Sequence, residues 1–214
     1  MINPDDFIIT RKRKKYKFAK FANAENCFEL EQWPKYTVDC VEIGAGTGLF
    51  SVELAARHPK RRFLALDVKA DRLQKGAYEA IQRGLTNIWF VRARADQLDQ
   101  VVPADSVRAI WVTFADPFPR ARSAGRRMTH STFLAKYYSV LAPGGKLQIK
   151  HDNLEFFHWT LEQLIDDGWK IQELSFDLPD SNLSDDYKIL TTYETRWLAE
   201  GRTTYYVAAT KEKE

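Results

Sequence analysis

The chain reads as an α/β protein with a mostly parallel sheet covered by helices on both faces. Three observations predict this. From Val38 onward, short apolar runs alternate with segments of helical spacing, the pattern of right-handed strand-helix-strand crossovers. A glycine-rich turn, "VEIGAGTGLF", joins the first of these runs to the first helix. Acidic residues then recur just past successive runs, at Asp67, Asp96 and Asp116, on the sheet edge where open α/β folds bind ligands.

Taken in order, "VDCVEIG" is a compact strand, and "LFSVELAARH" a helix with Leu49, Val52, Leu54 and Ala55 on its apolar positions. "RFLALDV" is a second strand; "DRLQKGAYEAIQRG" is an amphipathic helix that Gly84 can close. "NIWFVRA" and "VRAIWVTF" are the third and fourth strands. "STFLAKYYSVL" is a helix with Ser131 or Thr129 as its N-cap. "PGG" then turns the chain into a fifth strand, "KLQIKHD", and a helix covers about Leu154 to Asp167. "WKIQELSF" and "TTYYVAAT" are two late strands, separated by a polar stretch and a short helix near Tyr193 to Ala199. No full helical crossover links them, so they form an antiparallel addition at one edge. The expectation is a Rossmann-like, seven-stranded sheet with one late antiparallel strand.

Composition fits an ordinary globular domain: 214 residues, 44% hydrophobic and 29% charged. No apolar run is long enough to span a membrane, the N-terminus lacks the apolar core of a signal peptide, and Cys27 and Cys40 match no ligand spacing. These point to a cytoplasmic protein. The formal charge of +3 is unevenly spread: residues 1–20 carry a net +5, and the remainder a net −2. The acid-free run "RKRKKYKFAK" is suited to a polyphosphate surface, with Lys12, Lys14 and Lys15 as candidate RNA contacts; a solvated arm accounts for the run equally well. Phe18 and Phe21 lean toward an arm that docks or stacks. The division expected is a basic extension over residues 1–35 and one domain over 36–214.

In the glycine-rich turn, Gly44, Gly46 and Gly48 let the backbone turn tightly and approach a ligand. Nicotinamide enzymes use a similar turn. Here the spacing is G-x-G-x-G, and Glu42 stands inside the strand end just before it, which favours S-adenosylmethionine. Asp67 is placed to accept from ribose hydroxyls and Asp96 from an adenine amine. A cap or turn role would explain either alone; at the ends of consecutive strands they favour a nucleotide-like ligand.

Asp116 lies past the fourth strand, on the same edge. Pro117 and Pro119 stiffen the chain around Phe118, and Arg120, Arg122, Arg126 and Arg127 follow with no acid among them. Guanidinium forks suit phosphate oxygens, so this loop reads as a phosphate-binding rim beside a carboxylate. His130 reads as a cap or brace, His151 as a structural or substrate-contacting group, and His58 and His158 as helix-flank residues. Trp89, Trp111, Trp159 and Trp169 read as core. No grouping has metal-site spacing, so no metal is expected.

The segments "EIGAGTGLF", "ALDVKADRLQKGA", "FADPFPRARSAGRRMTH", "IKHDN" and "TTYE" occur in that order between Val38 and Ala209. Over this span the chain closely resembles the bacterial tRNA (guanine-N(7)-)-methyltransferases. The resemblance implies a class I methyltransferase that uses S-adenosylmethionine, releases S-adenosylhomocysteine, and methylates the 7-nitrogen of a guanine, at position 46 in the tRNA variable loop. By position it implies cofactor contacts at Glu42, Asp67, Asp96 and Asp116, with Asp116 central to the active site. It implies substrate contacts at Arg120, Asp152, Thr191, Thr192, Tyr193 and Glu194, and RNA contacts from Arg122 to Arg127. The expected partner is tRNA, with no accessory subunit and a monomeric or homodimeric state. The chain departs from the family pattern at His151, commonly threonine, at Ala115, commonly proline, at Thr47, commonly basic or methionine, and in its N-terminal arm. A methyltransferase acting on another RNA site or a small molecule, and a noncatalytic tRNA-binding relic, are the competing readings.

Overall fold

A computed structural model describes residues 1–3, 5, 12–191, 193–194 and 201–213. Eight strands form one sheet among them: β1 (Cys27–Glu29), β2 (Cys40–Ile43), β3 (Phe63–Asp67), β4 (Ile88–Arg92), β5 (Val107–Thr113), β6 (Leu141–His151), β7 (Lys170–Ser175) and β8 (Tyr205–Thr210). Their order is β1-β4-β3-β2-β5-β6-β8-β7. Pairing is parallel from β1 to β6, and β8 runs antiparallel to both β6 and β7. The single reversed strand is therefore as expected, while the strand count is eight rather than seven because β1 adds an edge.

Alternation along the strands explains why helices cover both faces. Val41 and Ile43, Leu64 and Leu66, and Ile110 and Val112 point to one face, where Leu134 and Tyr137 of α5 (Ser131–Val140), Phe157 and Leu164 of α6 (Leu154–Asp166), and Leu98 and Val101 of α4 (Leu98–Val101) cover them. The intervening Phe63, Ala65 and Trp111 point to the other. There they meet Phe50, Val52 and Leu54 of α2 (Leu49–Arg57) and Leu73, Ala77 and Ala80 of α3 (Ala70–Gln82). Glu42 shares the phase of Cys40, so a carboxylate is carried into this second buried face.

The basic run forms a docked helix, α1 (Lys12–Asn23), which packs along α3. Ala19 and Phe21 are buried, Lys20 Nζ sits 5.2 Å over the Tyr78 ring, and Phe18 lies under both Lys14 and Arg92. The lysine stems and aromatic faces hold the helix on the sheet edge. Two local readings are corrected, and a third is not tested. The fifth strand begins at Leu141, with a register shift opposite β5 that absorbs the "PGG" turn. The N-cap of α5 is His130, whose Nδ1 accepts from the Thr132 N–H, in place of Ser131 or Thr129. The short helix expected near Tyr193 to Ala199 falls mostly outside the described residues. Cys27 and Cys40 are buried and free. No helix among the described residues is long and apolar enough to cross a membrane.

Candidate active site

The glycine-rich turn crosses from β2 into α2 with Gly44, Gly46 and Gly48 at φ of +70°, +56° and +70°. Gly48 has a second reason to be glycine: a Cβ there would lie 2.6 Å from Phe90 Cε1. Gly76 in α3 is its counterpart. Its N–H donates to the Thr47 carbonyl at 2.9 Å, and an added Cβ would press into that same oxygen. Gly76→Ala is expected to push α3 off the loop, with a stability loss of about 1–3 kcal/mol and weaker S-adenosylmethionine binding. Chemical denaturation and a binding titration check both; unchanged values would show that the contact relaxes freely.

The turn forms one wall of a cleft of about 240 Å³, lined also by Glu42, Asp67, Arg72, Asp116, Met128 and Tyr193. Asp67 braces the loop: Oδ2 accepts from the Gly46 N–H and Oδ1 from the Lys69 N–H, both at 2.8 Å. Arg72 donates to the Tyr193 hydroxyl across the mouth. Glu42 is buried, accepting from Ser51 Oγ at 2.6 Å and Thr113 Oγ1 at 2.8 Å. Burial pushes its carboxyl from 4.5 up to about 7, against the two hydroxyls and the Lys150 charge, which pull it down.

The Asp-Pro turn is sharply bent and held from two sides. Phe114 and Phe118, at φ of +51° and +40°, are bent into the left-handed region, a conformation that costs bulky side chains about 1–3 kcal/mol each. Arg127 clamps the far side: Nε donates to the Pro117 carbonyl at 3.0 Å, Nη2 to the Phe118 carbonyl at 3.1 Å, and the guanidinium lies 4.4 Å over the Trp159 ring. His151 holds the near side from β6. Its Nδ1 accepts from the Asn153 N–H at 2.8 Å, so the proton is on Nε2, which faces the Ala115 carbonyl at 2.8 Å. Burial holds its pKa below the ordinary 6.5, keeping this neutral tautomer. Between the two clamps Asp116 is exposed and lines three cavities at once: the glycine-loop cleft, one of about 290 Å³ with Asp152 and Tyr193, and one of about 590 Å³ with Asp96, Phe118 and Arg126.

Lys150, on β6, is fully buried and bonds Glu194 at 2.8 Å and the Ile189 carbonyl at 2.9 Å. Glu194 also accepts from the Thr191 N–H, while its own N–H donates to Thr191 Oγ1.

The structure thus gathers Glu42, Gly44, Gly46, Asp67, Asp116, Thr191 and Tyr193 around one cleft, with Asp152 in the adjoining cavity. Asp96 is in the third, held bidentately by Arg94 at 2.9 and 2.7 Å, which lowers its pKa. Two placements differ from expectation. Glu194 faces Lys150 rather than a cavity, and Arg127 is spent on turn carbonyls rather than left on the rim. Arg120, Arg122 and Arg126 are exposed, Arg126 over the Phe118 ring at 4.5 Å. Lys14 is exposed, and Lys15 lies 3.8 Å from Asp5. Thr192 and the Lys12 side chain lie outside the described residues. Sequence reasoning did not single out Arg72, Met128 or Lys150; only the helical phase of Arg72 relative to the glycine loop carried any signal. Among the described residues, no group of three His, Cys, Asp or Glu side chains is placed to hold a metal ion.

A glycine cradle with room over Gly46, and two carboxylates set to meet hydroxyls and a cation, fit a nucleoside carrying positive charge. With the sheet order, they define the class of S-adenosylmethionine-dependent methyltransferases. Residues 36–207 match the family described as "Putative methyltransferase". The chain is 38% identical over 164 residues to the tRNA (guanine-N(7)-)-methyltransferase of Cytophaga hutchinsonii, covering 75% of this chain and 74% of that one. It is 34% identical over 169 residues to the enzyme of the same name from Brevibacillus brevis, covering 79% and 78%. The chain belongs to this methyltransferase family, together with the bacterial tRNA (guanine-N(7)-)-methyltransferases. Among solved structures its fold is similar to the 16S rRNA methyltransferase KamB, at a TM-score of 0.63 and 17% identity over 85% of this chain and 91% of that one. It is also similar to the 16S rRNA (adenine(1408)-N(1))-methyltransferase from Catenulisporales acidiphilia, at 0.59 and 16% over 100% and 95%.

Proposed function

We propose that this protein methylates the 7-nitrogen of a guanine in tRNA, at position 46 of the variable loop, using S-adenosylmethionine and releasing S-adenosylhomocysteine. The observation that carries the reading is the place of Asp116, a clamped carboxylate common to the cofactor cleft and two neighbouring cavities. S-adenosylmethionine supplies an electrophilic methyl group on a sulfonium. Guanine's 7-nitrogen has an in-plane lone pair and needs no deprotonation, so the protein's task is to position and to stabilise charge. Gly44, Gly46, Asp67 and Glu42 hold the donor. Asp116 faces the purine, which becomes positive as it gains the methyl, and Asp152 accepts from guanine's ring N–H or amine. Arg120, Arg122 and Arg126, with Lys14 and Lys15, hold phosphates and set register. Glu194 acts through Lys150 by fixing the segment that carries Thr191 and Tyr193. The division at residue 36 coincides with the start of the family match, with α1 and β1 added at the edge. A cytoplasmic location and action as a monomer or homodimer, without an accessory subunit, belong to the same proposal.

The test is methylation of unmodified tRNA with labelled donor, followed by chemical cleavage at 7-methylguanine. One cleavage in the variable loop supports the reading. Label elsewhere in the tRNA removes the assigned position, and no transfer despite cofactor binding removes the RNA substrate.

Glu42 supplies a further prediction. Its raised pKa makes its contribution to stability greatest below about 4.5 and lost as pH rises toward about 7. A cationic donor bound beside it favours the carboxylate. Binding near pH 7 is therefore expected to release a fraction of a proton, with affinity rising between about pH 6 and 8. Calorimetric titration in buffers of different ionisation enthalpy reads the release. Glu42→Gln should abolish it, and equal heats in all buffers for the unaltered protein would refute it.

A further inference from the structure

A cavity of about 640 Å³ opens on the sheet edge opposite the methyl-transfer site. It lies at the amino ends of four neighbouring strands, where Cys40 pairs with Phe63 and Ala109, and Ala109 with Lys146. Five cations line it, Lys60, Arg61, Arg62, Arg108 and Lys146, against two carboxylates, Asp39 and Asp186. Asp39 is shared by Arg62 at 3.2 Å and Arg108 at 3.9 Å, and Lys146 is 3.5 Å from Glu173. The side chains of Lys60 and Arg61 are exposed and have neither hydrogen-bond nor ion-pair partner among the described residues. The mouth therefore holds an unbalanced positive field.

The interior has a different character. Trp111 and Tyr187 form an aromatic wall, packed edge-on with ring centroids 5.6 Å apart. Gln148 also lines the cavity although it is only 5% exposed. Its Oε1 accepts from Tyr206 at 2.8 Å, and its amide nitrogen has no partner among the described residues. The amide is open to the cavity, where it can donate to a ligand or to water. Cations at the mouth, an aromatic wall and one inward donor match a ligand with a planar polar ring at one end and more than one negative charge at the other.

We propose that this cavity is a second ligand site, for a phosphorylated nucleotide whose base lies against Trp111 and Tyr187 and whose phosphates meet Lys60 and Arg61. The inference is independent of the substrate assigned above. The nucleotide could be free or the end of an RNA strand, and two probes separate these sources.

The full chain, with its donor cleft saturated by S-adenosylhomocysteine, is titrated with ATP and separately with a single-stranded ribo-pentanucleotide. Saturable binding is expected for at least one probe, with affinity falling about tenfold or more in Lys60→Ala/Arg61→Ala. Arg120→Ala/Arg122→Ala, on the other edge, should leave it unchanged. Both double variants alter exposed side chains, and S-adenosylhomocysteine affinity confirms that each is folded. ATP binding more tightly identifies a free nucleotide; tighter binding of the pentanucleotide identifies an RNA end. No saturable binding, an unchanged affinity in Lys60→Ala/Arg61→Ala, or equal losses in the two double variants would overturn the proposal.

Discussion

Asp116→Asn is expected to lower kcat/KM for tRNA by about 10²–10³-fold while leaving the fold and tRNA affinity nearly intact. The substitution is almost isosteric and the side chain is exposed, so stability should change little. On the proposed function, what disappears is a negative charge facing the purine that becomes positive. That charge is preorganised, because the Arg127 and His151 contacts and the two left-handed phenylalanines fix the turn before substrate arrives. Loss in kcat with little change in KM would mark an interaction made mainly in the transition state. Single-turnover methylation under saturating tRNA separates the two. Full turnover by the asparagine variant would remove Asp116 from the reaction and leave it a cofactor contact at most.

Lys150→Met is expected to be the most destabilising single change, costing about 3–5 kcal/mol. Lys150 is fully buried, and its charge compensates Glu194, itself only 2% exposed. Methionine fills similar volume but strands a buried carboxylate whose remaining partners among the described residues are Thr191 and a longer contact to Thr204 at 3.3 Å. For a chain of this length each kcal/mol lowers Tm by about 2–4 °C, so a fall of roughly 6–20 °C is expected in a thermal scan. Lys150→Met/Glu194→Leu should recover much of the loss, since removing both charges leaves none uncompensated. A single variant within about 1 kcal/mol of the unaltered protein would show that water reaches this pair.

The sheet was legible because its inner strands are short, nearly continuous apolar runs set between segments of helical spacing, a pattern that one sequence displays locally. The glycine turn and the row of strand-end carboxylates were legible for the same reason, each being a short motif at a fixed place in a repeating pattern. β1 was not: three residues, "CFE", carry no periodicity, and their strand character comes from pairing with β4. The docking of α1 was obscured by its many lysines, whose stems cover aromatic rings only once α3 and β4 are beside them. Glu194 and Arg127 show the deeper limit. A carboxylate in "TTYE" reads as a donor-seeking site residue until Lys150, 44 positions earlier, is seen against it. An arginine in "GRRMTH" reads as phosphate-binding until two carbonyls turned outward by left-handed residues are found beneath it. Partners distant in sequence decided both roles.

β8 is encoded after both strands it joins, yet it sits between them. Until it is synthesised, β6 ends in an open row of backbone donors and acceptors, and β7 has no partner in the sheet. The half-made protein therefore presents an adhesive margin next to its own catalytic turn, and a nascent chain stalled before residue 205 is a candidate for strand pairing with a neighbour. Lys150 pairs with Tyr206 across the β6–β8 ladder, and Thr204, immediately before that last strand, reaches Glu194, so the last strand borders the segment that carries Thr191 and Tyr193.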